Sequence, residues 1–328
     1  MNTSTFMNTN TYMKLFTNII SSIKKLLKSF YKTTLLQKIF YILTAFIILN
    51  IITTLGVKNK EGFEERTNEF VVKKGTDIYD DFYVNIYDDL VFSKLKDNFE
   101  IGQIIENTNP TEDSYILDIG SGTGHHVKNL SDNGYKAIGI DTSPAMIKKA
   151  KETYPDMEYQ NIDALSTMAF PQDTFTHITC LYFTLYYIKD KRMFFNNCMA
   201  WLKPGGFLAL HLVDRNKFDP IIPAGSPFGI VSPQNYTKKR ITSSVVNFDQ
   251  FEYKANFNLN EKENIAIFNE TFKQNNGGVR QNEHKFYMET QKEILSMAKD
   301  AGFILDAKID MMKCQYEDQF IYILQKPN

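Results

Sequence analysis

Three alternate glycines, Gly120, Gly122 and Gly124, follow the apolar run Tyr115–Ile119, and Asp118 stands two residues before the first of them. Glycine accepts positive φ and lets a ligand approach the backbone, and the N-terminus of a following helix attracts anionic groups. A dinucleotide loop would read G-x-G-x-x-G; here the third glycine comes one residue early. Asp141 and Asp163 end two later apolar runs, at residues 136–141 and 157–163, which puts both carboxylates at strand ends. His211, within GFLALHLV (206–213), and His284, within GVRQNEHKFYM (278–288), are the histidines placed to serve as bases. A lone histidine on a strand is as readily structural. His125 and His126 open the segment after the glycines, a position that suits capping at the surface. Cys180, Cys198 and Cys314 are widely spaced and form no CxxC, so neither a disulfide framework nor a metal site is expected, and reduced thiols suit a reducing compartment.

The elements that must hold these residues are legible as periodicity. Short apolar runs at 115–120, 136–141, 157–163, 176–182, 206–213, 303–309 and 320–325 alternate with helical spacing at 125–133, 144–153, 191–201 and 290–301. Such alternation predicts a parallel sheet covered by helices. About ten residues separate the last two runs, too few for a helical crossover, so they are expected to form an antiparallel hairpin. Upstream, residues 77–105 read as one helical stretch rich in tyrosine and acids, broken at Asn109-Pro110. Residues 214–289 interrupt the alternation with β-like runs and the turn signal Asn275-Asn276-Gly277-Gly278. They predict a small antiparallel insert beside the carboxyl ends of the strands, where open α/β sheets bind ligands.

The run ILDIGSGTG resembles the first motif of class I S-adenosylmethionine-dependent methyltransferases. Asp141, Asp163 with Ala164, and the KPGG at 203–206 agree with that family's later positions. The likeness is strong over about 115–213 and weaker over the final hairpin. It implies a Rossmann-like α/β fold with a seven-stranded sheet, mostly parallel, carrying the β insert; it also implies S-adenosyl-L-methionine as cofactor. By resemblance, Gly120, Ser121, Gly122 and Gly124 line the methionine and ribose portions, and Asp118 orients the loop or meets the amino group. Asp141 with Thr142 takes the ribose hydroxyls, Met146 packs by the adenine, Asp163 meets N6, and Ala164 and Leu181 lie alongside. CLYFTLYYI (180–188), IYDDFY (78–83) and the insert further resemble amino-sugar N,N-dimethyltransferases and glycine N-methyltransferase-like enzymes. That narrower likeness implies Tyr79, Tyr83 and Tyr87 near the cofactor carboxylate and Tyr182, Thr184 and Tyr187 around the transfer site. The competing reading of both groups is core packing. His211 and His284 are the candidate bases, needed only where the acceptor is protonated.

The charge balance divides the chain. Residues 1–58 hold seven lysines, no arginine and no acid, whereas 59–328 hold 30 basic and 38 acidic residues, a net of -8. An acidic body argues against nucleic-acid partners. Residues 1–13 read as a disordered tail. Residues 14–38 read as a basic amphipathic helix, with Phe16, Ile19, Ile20, Ile23, Leu26, Leu27 and Phe30 at helical spacing. Residues 39–57 carry no charge and, as a helix, would reach roughly 28 Å, about the thickness of a bilayer core. The expectation is a single-pass membrane anchor, then a polar linker at 58–75 and a catalytic domain at 76–328. The lysine excess before the span puts the body across the membrane, while unpaired cysteines favour a cytosolic body. The function expected is methyl transfer to N or O of a small-molecule acceptor. The alternatives are a membrane-embedded lipid or quinone acceptor, or a non-catalytic cofactor-binding scaffold.

Overall fold

The computed structural model describes residues 33–35, 37–41, 43–44, 70–222, 234 and 239–328. The chain divides into two compact units, residues 1–65 and 66–328. In the first, residues 37–41 are helical. The expected tail and most of both the amphipathic helix and the 39–57 span lie outside the described residues. Among the described residues no helix is long and apolar enough to cross a membrane.

The second unit is built on a seven-stranded sheet. Its strands are β2 (Tyr115–Ile119), β3 (Lys136–Asp141), β4 (Glu158–Asn161), β5 (Phe175–Cys180), β6 (Leu202–Val213), β11 (Ile304–Asp310) and β12 (Gln319–Gln325), in the order β11-β12-β6-β5-β2-β3-β4. β12 pairs antiparallel with both β6 and β11, and the other pairs are parallel. The terminal hairpin is as expected, joined through a 3-10 turn at Met311–Cys314. From β2 the chain winds outward through β3 and β4, then returns to place β5 on the other side of β2. The switch point therefore lies between β2 and β5, and the loops leaving those two strands open the crevice where such sheets bind ligands.

Local chemistry sets the helix boundaries. The helices are α1 (Asp81–Val91), α2 (Lys94–Thr108), α3 (His125–Asp132), α4 (Pro144–Thr153), the single turn α5 (Thr184–Tyr187), α6 (Lys191–Trp201) and α7 (Gln291–Asp300). Ser143 caps α4 by accepting from the Met146 N–H, and Pro144 fills its first position. Thr290 and Glu293 form a reciprocal capping box on α7. The single helical stretch expected at 77–105 is corrected. Phe92 is extended and Ser93 caps a new helix by accepting from the Lys96 N–H, so the chain turns between α1 and α2. Between the sheet and α6–α7 lies a core in which Phe194, Phe195 and Trp201 are fully buried, each side chain contributing about 2–3 kcal/mol of apolar transfer.

The predicted antiparallel insert forms within residues 243–287, with strands β7 (Ser243–Asn247), β8 (Phe251–Asn260), β9 (Ile265–Gln274) and β10 (Val279–Tyr287). A fifth strand joins them. β1 (Phe70–Lys74), expected as linker, pairs parallel with β10 and gives the order β1-β10-β9-β8-β7. An unpaired edge on β10 would leave a row of N–H and C=O groups open, and β1 satisfies them. The 3-10 turn Gly75–Ile78 then leads from β1 into α1, which carries the tyrosines.

On β3, Gly139 is tightly enclosed: a Cβ there would stand 2.6 Å from Ser121 Oγ and 2.9 Å from Tyr159 Cδ1. Gly139→Ala is thus expected to lower stability by about 1–3 kcal/mol. Urea denaturation tests this, and an unchanged midpoint would contradict it.

Candidate active site

The glycine loop leaves β2 at the switch point. The N–H groups of Gly120 and Ser121 both donate to the Ile140 carbonyl, at 2.8 and 2.9 Å, which ties the loop to the end of β3. Gly120 has φ 74°, and a side chain there would overlap Thr184 on α5. Gly122, at φ 53°, faces open space, with Tyr87 Cε1 lying 4.0 Å from where its Cβ would be. A side chain at Gly122 would fill room that a ligand could take. Gly124 serves a different end: Tyr159 donates to its carbonyl at 2.9 Å, and a Cβ would collide with that ring.

Asp141 ends β3 under the loop. Its Oδ2 accepts from the Gly122 N–H at 3.0 Å and its Oδ1 from the Ser143 N–H at 2.8 Å. Burial pushes its carboxyl up to about 6, against the pull of those two N–H groups. Asp163 follows β4, where its Oδ1 accepts from the Leu165 N–H at 2.9 Å. Gly120, Gly122, Asp141, Thr142, Met146, Asp163 and Ala164 all line one cavity of about 670 Å³. Tyr79, Tyr83, Tyr87, Tyr182, Thr184, Tyr187 and His284 line it too. The structure brings these predicted residues together.

Other predicted residues stand back from it. Asp118 is buried in the sheet and accepts from Thr179 Oγ1 at 2.6 Å. Ser121 and Gly124 in the loop and Leu181 after β5 are buried and do not line the cavity. His211 also lies outside the lining, fully buried on β6 between the rings of Tyr182 and Phe183. Burial pushes its imidazolium down to about 4, so the ring is neutral near pH 7.

The roof is the inner face of β8, β9 and β10. Phe257, Phe268 and Phe286 project into the cavity there, with Phe183 and Phe218 from the loops after β5 and β6. Among them sits a buried polar chain. His284 Nε2 is 2.7 Å from Glu270 Oε2, its Nδ1 is 2.6 Å from the Tyr187 hydroxyl, and the Tyr79 hydroxyl donates to Tyr187 at 2.8 Å. Sequence reasoning found His284, Tyr187 and Tyr79 but missed Glu270. A signal existed: Ala266, Phe268, Glu270 and Phe272 alternate along β9, so the acid shares its face with apolar partners.

Beneath the loop is a second group that the sequence did not reveal. Lys96 and Glu100, on α2, pair at 2.7 Å, and His126 lies 3.3 Å from Glu100, 3.5 Å from Asp97 and 3.7 Å from Asp118. The surface capping expected of His126 is therefore corrected: α2 packs over the start of α3 and half-buries it among these carboxylates. His125 is half-buried to the same extent, 3.0 Å from Asp88 and stacked on Phe92, so its expected surface capping is corrected too. Burial disfavours the His126 imidazolium, but hydrogen bonds to Asp118 and Glu100 hold it up at about 10. Burial likewise works against the Glu100 carboxylate, yet Lys96 and His126 hold it down at about 2. A histidine raised in this way adds its full stability below its unfolded value of about 6.5 and loses it as pH rises through 10. His126→Gln is therefore expected to lower the urea midpoint most near pH 6, with the gap closing toward pH 10. A gap independent of pH would contradict a charged His126.

Residues 116–206 match the family described as "Methyltransferase domain". The ubiquinone biosynthesis O-methyltransferase of Coxiella burnetii (strain Dugway 5J108-111) is 29% identical over 116 residues, 34% of this chain and 49% of the relative. The chain spans about half the length of the curated relatives it matches. A S-adenosylmethionine-dependent methyltransferase from Clostridium acetobutylicum ATCC 824 superposes with a TM-score of 0.57 at 18% identity, over 75% of this chain and 98% of that one. An amino pentose methyltransferase from Micromonospora echinaspora, involved in calicheamicin biosynthesis and solved with SAM bound, does so at 0.51 and 17%, over 70% of this chain and 90% of that one. At these identities the structural likeness is one of fold. Residues 116–206 thus match a methyltransferase domain, and the unit that holds them shares the fold of S-adenosylmethionine-dependent methyltransferases of known structure.

Proposed function

We propose that the chain transfers a methyl group from S-adenosylmethionine to nitrogen or oxygen of a small-molecule acceptor held under the insert. The observation that carries this is one cavity whose floor is Gly120, Gly122, Asp141 and Asp163 and whose roof is aromatic. The residues fit the cofactor. Open space at Gly122 would admit the methionine and ribose portions, the Asp141 carboxylate would receive the ribose hydroxyls, Met146 and Ala164 would flank the adenine, and Asp163 would meet its amino group. When bound, the cofactor supplies a methyl group already activated on a sulfonium. The tasks left to the protein are alignment and exclusion of water, which a roofed cavity serves. A quinone-like or lipid acceptor is the second reading. The aromatic roof favours it, as does the likeness to a ubiquinone-pathway O-methyltransferase.

Calorimetry with S-adenosylhomocysteine tests the cofactor site. Asp141 is ionised above pH 6 and protonates below it, so affinity is expected to fall as pH drops from 7.5 to 5. Asp141→Asn should bind about tenfold more weakly at pH 7.5 and show a flat profile. No binding to the native chain at millimolar ligand would end the methyltransferase reading.

The uncharged run 39–57 and the basic stretch before it support a further proposal, that the chain is anchored to a membrane by residues 14–57. Removing residues 1–57 should abolish co-sedimentation with anionic vesicles and spare S-adenosylhomocysteine binding. Equal sedimentation of both forms would refute the anchor.

A further inference from the structure

Glu270 lies in the middle of β9 at 1% exposure. A carboxylate so placed is costly unless it is well partnered. Tyr253 donates to its Oε1 at 2.8 Å, and Asn282 donates to its Oε2 at 3.1 Å, beside His284 Nε2. Burial would raise this carboxyl, but it is held below the ordinary range, and with a neutral His284 the hydrogen bonds from His284, Asn282 and Tyr253 still favour its ionised form. An ionised acceptor requires the proton on Nε2 of His284. In the neutral ring Nδ1 is then bare and accepts from Tyr187, whose oxygen in turn accepts from Tyr79. The donors all point one way. Among the described residues nothing donates to the Tyr79 hydroxyl oxygen, which is the open end of the chain, and Tyr79 lines the cavity.

The open end is itself held in place. Arg280, on the same face of β10 as His284, binds both oxygens of Asp80 at 2.8 Å and the Ile78 carbonyl at 2.8 Å, which brackets Tyr79. The groups facing His284 are Glu270 from β9, Tyr187 from α5, Tyr79 and Tyr83 from the α1 region, and the rings of Phe268 and Phe286. Arg280 is engaged by Asp80 and Asn282. Burial lifts the Tyr79 and Tyr187 phenols well above their usual value, so both stay neutral and can pass a proton without ionising. A histidine serving packing alone would need no row of hydroxyls ending at a ligand cavity.

We infer that His284, oriented by Glu270, takes up through Tyr187 and Tyr79 the proton that an aryl hydroxyl acceptor loses as it is methylated. This rests on the methyltransferase reading above. The acceptor O–H bond breaks and its proton passes to the Tyr79 oxygen. The Tyr79 proton moves to Tyr187, and the Tyr187 proton to His284 Nδ1, leaving an imidazolium beside the Glu270 carboxylate. The freed electron pair on the acceptor oxygen forms the new O–CH3 bond, and the pair of the broken S–CH3 bond stays on the donor sulfur. Phe183, Phe218, Phe257, Phe268 and Phe286 suit a flat apolar body. An aryl hydroxyl is far more acidic than an alkyl hydroxyl, so it yields its proton to an imidazole more readily.

The test uses 4-nitrophenol, whose phenolate absorbs in the visible, added to the full chain with S-adenosylhomocysteine across a pH series. The bound phenol is expected to ionise about one pH unit or more below its value in water. Glu270→Gln and Tyr187→Phe should each remove most of that shift. Nitrogen NMR of the native chain should show His284 protonated on Nε2 and bare on Nδ1 near pH 8, a reading that needs no variant. An unshifted bound phenol, absence of nitrophenol binding, a shift that survives in Tyr187→Phe, or the opposite tautomer would each overturn the relay. Calorimetry on the same samples separates the two readings, since a native chain that fails to bind S-adenosylhomocysteine removes the methyltransferase premise itself.

Discussion

The carboxylate of Asp141 is the hinge of the site. It is half-buried at the end of β3, and the N–H groups of Gly122 and Ser143 hold it there. One of those N–H groups belongs to the glycine loop after β2 and the other to the cap of α4. A single acid thus joins the three segments that form the cavity floor. Because a half-buried carboxylate still needs donors, a loop that drifted from β3 would cost this charge a hydrogen bond. Ser143 extends the tie upward: its hydroxyl donates to the Tyr79 carbonyl at 3.0 Å, so the same corner fixes the tyrosines of the roof side.

Charge is distributed unevenly around that corner. Below the loop, Lys96, Glu100, His126 and Asp118 form a compensated group that locks α2 against α3. Above it, charges are sparse and aromatic surface dominates, with the Glu270–His284 pair set into the roof. The lower group is closed, each charge answered by another. The upper chain is left open at one end. A closed network stiffens a scaffold, whereas a chain that ends in a cavity leaves one acceptor for a ligand.

The insert does more than cover the sheet. Its strands carry Glu270, His284 and Arg280 on one face by period-2 alternation. β1 completes its edge, and the chain that leaves β1 is returned over the cavity through Asp80 and Arg280. The segments on either side of the domain match in the sequence are thereby brought onto one wall.

The β-α alternation, the terminal hairpin, the glycine loop and the strand-end acids were legible in the sequence, because each depends on local periodicity or on the spacing of a few neighbouring residues. The break between α1 and α2 was missed because a serine cap at Ser93 reads as an ordinary polar position within a helical pattern. β1 was missed because its five residues pair with a strand about two hundred positions away. The roles of the histidines followed the same division. His211 and His284 occupy similar strand contexts, yet one is sealed in the core of the sheet and the other faces Tyr187 and the cavity. Burial, charge pairing and hydrogen-bond direction are set by groups far apart along the chain, so only the tertiary structure could decide them. The residue types that can do chemistry are written in the sequence; which of them meet is decided by packing.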